Sequence, residues 1–290
     1  SIGYLRNTEL IELIDRSIQT GKTQRNEIFF DEKERLYRAT AYPIVLESGI
    51  NVIMILRDLT ERRHMERVKR DFIANVSHEL KTPITTIKGY IETLMDTVVE
   101  DKDKAREFLE ITYRNVIRME RLVEDLINLT GIESGVIKIE KRDVLLKDVF
   151  DELIKEFGPK AQKKGLKLLV ELDNEEAKIQ ADQLRLRQIL GNLIDNAIKF
   201  TESGTVTIGL THRDNTRVLF VQDTGIGIPK EYIPRLGERF FRVDPSRSRA
   251  LGGTGLGLAI VKHLVMAHDW KMNIESQPGK GTRINILIDS

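Results

Sequence analysis

Three kinds of hydrophobic spacing follow one another along the chain. Apolar positions in residues 9–20 recur at helical intervals and stop at Gly21. Residues 25–30, 35–44 and 51–58 read as strands, with Ser48-Gly49 as the turn between the last two. From residue 61 the period becomes helical again. Ile73, Val76, Leu80, Ile84, Ile87, Ile91, Leu94 and Val98 step by three and four residues, a heptad-like seam. Pro83 falls inside it and is expected to kink the helix by removing a backbone donor. Glu100-Asp101-Lys102-Asp103 reads as a turn. A second helix follows, with Phe108, Ile111, Met119, Leu122, Leu126 and Leu129 as its stripe and Gly131 near its end. A helical hairpin buries little apolar surface alone, so two copies are expected to pair into a four-helix bundle, a homodimer.

From residue 136 the pattern is α/β. Strands are predicted at 136–140, 166–172, 205–210, 217–222, 272–276 and 283–288, and the main helices at 145–163, 182–200 and 255–268. The fold class is therefore multidomain: an α+β segment at 1–60, an antiparallel helical hairpin at 61–133 and an α/β sandwich at 134–290.

Composition narrows the chemistry. The 290 residues leave room for two or three domains. A net charge of +1 gives no reason to expect nucleic acid. There is no cysteine, so disulfides, thiolate metal sites and cysteine nucleophiles are excluded. The chain holds no run of about 18 apolar residues, the length that could span a bilayer. The chain does not begin with Met, and it is expected to be a cytoplasmic stretch of a longer protein, with a membrane anchor elsewhere left open.

The candidate chemistry begins at His78, within Phe72-Ile73-Ala74-Asn75-Val76-Ser77-His78-Glu79-Leu80-Lys81-Thr82-Pro83. At about 100° per residue, His78 stands roughly 200° from Val76 and from Leu80, so it points away from the seam. Thr82, four residues on, shares its face. An exposed imidazole offers an uncharged nucleophilic nitrogen at neutral pH. Glu79 is expected to accept a hydrogen bond from its other ring nitrogen and fix the tautomer. For an isolated His-Glu pair, a solvated surface histidine would be the ordinary reading. His64, His212, His263 and His268 lack such neighbours and read as structural or solvated.

Downstream lie elements suited to a nucleotide. Asn192 and Asn196 share a helix face, and amide oxygens suit Mg²⁺. Lys199, one turn on, can reach phosphate. Asp223 ends the apolar run Val218-Leu219-Phe220-Val221, where a carboxylate can accept a hydrogen bond from the adenine amino group, while Gly225 and Gly227 let the backbone pass beneath the base. Gly253-Thr254-Gly255-Leu256-Gly257 feeds a helix N-terminus, which favours anions. It is neither a Walker A loop nor a Rossmann fingerprint, because it lacks Gly-Lys-Ser/Thr and a surrounding βαβ unit. Residues 229–251, with Phe240-Phe241-Arg242, Arg247 and Arg249, suit a mobile lid. Gly279-Lys280-Gly281-Thr282 reads as an ordinary loop before the last strand. Each element alone is a common turn or a polar helix face.

Together, from residue 61 to the end, these motifs resemble the sensor histidine kinases of two-component systems. Ser77-His78-Glu79-Leu80-Lys81-Thr82-Pro83 resembles the family's phosphoacceptor helix. Asn192 to Asn196 looks like its N box, and Asp223-Thr224-Gly225-Ile226-Gly227, Phe240-Phe241-Arg242 and Gly253-Thr254-Gly255-Leu256-Gly257 look like its first glycine, aromatic and second glycine boxes. The helix and three strands at 1–60, with Asp58-Leu59-Thr60 at their exit, resemble the second half of a PAS sensor domain; a small α+β cap without a ligand is an equal reading.

The resemblance implies ATP and Mg²⁺, with Asp223 on adenine and Asn196, helped by Asn192, on the metal. It implies transfer to His78 and then to an aspartate on the receiver domain of a response regulator, with Arg242 and Lys199 as positive groups. It implies a phosphatase role for Thr82 in orienting water. Two departures stand out. Leu236-Gly237 replaces a bulky apolar residue, which is expected to loosen the lid, and His268-Asp269-Trp270 replaces a His-Gly-Gly turn. Competing readings are a nucleotide-gated scaffold without catalysis and a gyrase-type ATPase clamp; the clamp leaves His78-Glu79 unexplained.

Overall fold

A computed structural model describes residues 7–30, 35–47, 49–96, 101–213, 216–244 and 252–288. By compactness the chain divides into Ser1–Ser77 and His78–Ser290, a boundary that falls inside a helix.

In the first unit, α1 (Thr8–Thr20) starts where the Asn7 side chain accepts from the Glu9 and Leu10 amides and stops at Gly21 in a left-handed conformation. It packs on an antiparallel sheet of β1 (Gln24–Phe30), β2 (Arg35–Leu46) and β3 (Gly49–Asp58), in that order. Leu10, Leu13, Ile28, Ala39 and Ala41 form its small core. The three expected strands are all present. The sheet is tied to the next helix, α2 (Thr60–Asp96), at its first turn: Leu59 N donates to Leu36 O, and Leu36 N donates to Thr60 Oγ1 at 3.0 Å.

In the second unit, α2 continues unbroken past the buried Pro83. Its partner α3 (Lys102–Glu133) is capped by Asp101, whose carboxylate accepts from the Asp103 and Lys104 amides. Tyr90 and Phe108 meet between the two helices, ring centroids 5.1 Å apart. Val98 and Glu100, part of the predicted seam and turn, lie outside the described residues, and so does Ser48.

The remainder is a two-layer α/β structure. A mixed sheet runs in the order β5 (Lys167–Leu172), β7 (Thr205–Arg213), β8 (Thr216–Asp223), β10 (Gly281–Ile288), β9 (Lys271–Gln277), with β5 parallel to β7 and the other pairs antiparallel. Against it pack α4 (Leu146–Lys163), α5 (Gln183–Phe200) and α6 (Gly257–Ala267), whose buried side chains include Leu153, Leu186, Ile189, Leu190, Ile194 and Ile260. Two short strands that the pattern does not predict, β4 (Arg142–Leu145) and β6 (Lys178–Ala181), pair beside the main sheet. The strand expected at 136–140 does not form. After α3 the chain turns back, Ile137 N donating to Gly131 O at 3.0 Å, and this local closure replaces sheet pairing.

Candidate active site

Helix α5 supplies the first wall. Its capping residue Asp182 accepts from Arg185 N at 3.1 Å, and one face of the helix buries Leu186, Ile189, Leu190, Leu193, Ile194, Ala197 and Ile198. That burial fixes the rotation of the helix, so Asn192, Asn196 and Lys199 all line one cavity of about 1140 Å³. Lys199 Nζ pairs with Asp195 Oδ2 at 2.6 Å, and Lys160 of α4 also reaches Asp195. Burial pushes the Asp195 carboxyl up, but the two lysines outweigh it and hold it below the usual carboxylate range.

Strand β8 delivers Asp223 to the same cavity. Its Oδ1 accepts from Gly225 N at 2.8 Å and Thr282 N at 3.2 Å, while Oδ2 accepts no hydrogen bond among the described residues. Burial holds this carboxyl above its ordinary range. Gly227 lines the floor with φ +67, and a Cβ there would stand 2.0 Å from Gln277 O. Gly225 is expected at the base but does not line the cavity; it lies under Asp223, braced against Phe200 O. Thr282, from the loop read as ordinary, lines the cavity and orients Asp223.

The second glycine box lines the same cavity. Gly253, Thr254, Gly255 and Gly257 line the cavity ahead of α6, whose first turn has no side-chain cap. Leu256 does not line it; its side chain is fully buried beneath. In the lid segment Phe241 and Arg242 line the cavity, whereas Phe240 serves it through its backbone, its N donating to Gly255 O at 2.9 Å. Phe240 has φ +63, costly for an aromatic residue, and the bond to Gly255 helps to hold it there. Gly237 has φ +85 close to Lys262, a backbone in which the bulky residue usual in the family would be strained. Arg247, Arg249 and Leu251 lie outside the described residues.

The helical hairpin carries His78, Glu79 and Thr82. His78 is exposed, as the helix geometry predicts, and Thr82 Oγ1 donates to its carbonyl at 3.2 Å. Glu79 does not bond the His78 ring among the described residues. Adjacent helix positions diverge by about 100°, and Glu79 Oε2 is held at 3.0 Å by Arg118 Nη2 and at 3.0 Å by Arg242 Nη2. Arg242 thus joins the cavity wall to the residue beside His78. Its side chain is 6% exposed, and its Nε is buried with no hydrogen-bond partner among the described residues, against Gly255, where a Cβ would come within 3.1 Å of it. An unpaired buried guanidinium nitrogen beside the glycine box fits a site made for an anion such as phosphate.

Of the remaining histidines, His268 is fully buried. Its Nδ1 donates to Leu264 O at 2.8 Å and its Nε2 accepts from Asp182 N at 3.2 Å. The turn usually made by glycines is made here by Asp269 at φ +62, ion-paired to Lys141 at 2.8 Å. His263 pairs with Glu133 at 3.1 Å, beside Arg239. The side chain of His64 lies outside the described residues.

The comparisons agree with this geometry. Residues 68–135 match the His Kinase A phospho-acceptor domain, and residues 181–290 match the histidine kinase-, DNA gyrase B- and HSP90-like ATPases. The chain is 36% identical over 267 residues to the sensor histidine kinase WalK of Bacillus subtilis, covering 90% of this chain and 44% of that protein. It is 38% identical over 245 residues to the phosphate regulon sensor protein PhoR of Pseudomonas aeruginosa, covering 83% and 54%. The chain therefore spans about half the length of these relatives. Among solved structures, the Acinetobacter baumannii histidine kinase AdeS aligns with TM-score 0.58 and 26% identity over 73% of this chain and 98% of that one. The histidine kinase ThkA, in complex with the response regulator protein TrrA, shares the fold at TM-score 0.62 and 22% identity, over 97% and 82%. Among the described residues no helix is long and apolar enough to cross a membrane. Two matched modules in the family's order, with Asn192, Asn196, Lys199 and Asp223 at one cavity, place this chain in the sensor histidine kinases of two-component systems.

Proposed function

We propose that this chain is an ATP-dependent protein histidine kinase that phosphorylates itself on His78. The reading rests on one observation above the rest: Arg242 lines the cavity with an unpaired buried Nε while its Nη2 holds Glu79, next to His78. In this reading Asp223 receives the adenine amino group on its unused Oδ2, and Lys199 and Arg242 neutralise phosphate charge. The amide oxygens of Asn196 and Asn192 would hold Mg²⁺, which would supply positive charge against the phosphates. A ring nitrogen of His78 attacks the γ-phosphorus, the bond to the β-phosphate oxygen breaks, and ADP leaves. Glu79 takes up the ring's other N–H only once the guanidinium groups of Arg118 and Arg242 release it.

The phosphoryl group then passes to an aspartate on the receiver domain of a response regulator, the partner class named in the solved ThkA complex. Thr82, exposed on the face of His78, orients water in the reverse, phosphatase reaction. The apolar groove between α2 and α3, lined by Ile84, Ile87, Ile91, Val116, Met119 and Val123, pairs with a second copy to give the homodimer. We read residues 1–60 as PAS-like, 61–133 as the dimerisation hairpin and 134–290 as the catalytic domain, in the cytoplasm. Incubation with γ-labelled ATP tests the reading. Acid-labile, base-stable label on the wild type and none on His78→Gln is expected. Free phosphate without labelled protein, or no turnover at all, would contradict it in favour of the clamp or the scaffold.

A further inference from the structure

Asp125 is a residue that the sequence motifs leave out. It lies on α3, in the hairpin, yet it lines the nucleotide cavity with Asn192, Asn196, Lys199 and Arg242. Its Oδ2 accepts the Thr254 hydroxyl at 2.7 Å, and Thr254 sits between the two glycines that open toward α6. The Thr254 Oγ1 in turn accepts from Leu256 N at 3.3 Å, so the carboxylate is joined through one hydroxyl to the loop that leads into the helix N-terminus. Helix N-termini and such loops bind anions, and here an internal anion occupies that end of the cavity. Burial makes the charged form costly, and Thr254 and Lys199 offset this only in part, so the Asp125 carboxyl is held above its ordinary range.

We infer that Asp125 is a positioning residue whose carboxylate competes with the nucleotide's phosphates for the second glycine box, so that triphosphate binding expels it and releases α3 from the ATP-binding wall. The inference rests on the nucleotide reading of this cavity. Thr254 satisfies the carboxylate with one charge-assisted hydrogen bond, whereas bound phosphates would confront it with the like charge of several oxygens within a few ångströms, a repulsion that outweighs that single bond. Nucleotide occupancy and hairpin docking thereby oppose one another through one side chain. The effect falls on the phosphates alone, since in the proposed reading adenine is held by Asp223, at the end of β8, and not by the second glycine box.

The test is calorimetric binding of Mg·ATP, ADP and adenosine to the full chain as wild type, Asp125→Asn and Asp125→Glu. Asparagine keeps the shape and can still accept from Thr254 but removes the charge; glutamate keeps the charge. Asp125→Asn is expected to tighten ATP about tenfold, ADP less and adenosine not at all, with Asp125→Glu retaining the wild-type ratio of ATP to adenosine affinity. An unchanged ratio in Asp125→Asn, or adenosine tightening as much as ATP, overturns the inference while leaving the nucleotide site standing. No uptake of any of the three by any of the proteins overturns the nucleotide reading itself.

Discussion

In the α/β layers Leu186, Ile189, Leu190 and Ile260 are each 0% exposed, whereas on the helical hairpin Ile84 is 49%, Ile91 42%, Val116 39% and Val123 43% exposed. Both regions are rich in regularly spaced aliphatic residues. They differ in what those residues meet. A sheet with helices on one side closes over its own core, while two helices present one shared groove whose aliphatic residues stay exposed among the described residues. The α/β layers close their core within one copy. The hairpin leaves its groove exposed among the described residues, as the proposed pairing requires, and it exposes His78 for the same geometric reason: a helix with one apolar seam must place its other residues in water.

That contrast can be broken by experiment. Ile91→Glu places a charge in the groove. An unpaired charge buried at an interface costs about 3 kcal/mol or more, so light scattering should show the dimer replaced by monomer, with the thermal transition of the α/β layers unmoved. A dimer that persists would show that the groove is not the contact. Thr82→Ala touches only the exposed face. It should slow dephosphorylation of a phosphorylated regulator about hundredfold, the scale of a lost proton-handling group, and leave autophosphorylation intact; equal loss of both activities would remove the proposed role.

On the self-contained side, Asp223→Asn is sharper than its size suggests. Oδ1 can still serve the Gly225 and Thr282 amides, but the new amide nitrogen then faces the adenine amino group, donor against donor. Affinity for adenosine should fall about tenfold, the worth of one lost hydrogen bond with its partner left unpaired, and calorimetry reads it directly. The smallest effect concerns His268. Burial lowers its affinity for a proton below that of the unfolded chain, near 6.5. The unfolded state therefore binds more protons as pH falls. The stability that His268 contributes is fully present above about pH 6.5 and is lost as pH falls through the depressed folded-state value, with a slope no steeper than about 1.4 kcal/mol per pH unit, the limit for one proton. His268→Gln should flatten the dependence of Tm on pH between about 7 and 5; an unchanged slope would assign the dependence to other groups.

Much of this was legible in the sequence, and the exceptions have physical causes. Periodicity placed the helix ends at Gly21 and near Gly131 and the five strands of the main sheet, because each of those elements buries one continuous face. The alternation in Val136-Ile137-Lys138-Ile139-Glu140 misled, since alternation cannot reveal that Ile137 folds back to Gly131 instead of finding a neighbouring strand. β4 and β6, four residues each, are too short to carry a period. Motif spacing singled out Asn192, Asn196, Asp223 and Thr254, which all line the cavity, and the exposed position of His78, because local geometry sets both. It missed the pairing of Glu79 with Arg242 across 163 residues and of Asp125 with Thr254 across 129, since tertiary packing, which includes α3 against α6, brings such distant side chains together. Asp269 was a visible anomaly; its left-handed backbone explains how a turn usually made by glycine is kept.

The central claim is that an outward-facing imidazole receives phosphate from a nucleotide held by the α/β layers. Mass spectrometry of the intact phosphoprotein after incubation with Mg·ATP, fragmented at neutral pH to preserve the phosphorus–nitrogen bond, tests it most directly. The expected result is a single phosphoryl group on His78, absent from His78→Gln. Phosphate located on another side chain, or a wild-type protein that remains unmodified, would contradict the account.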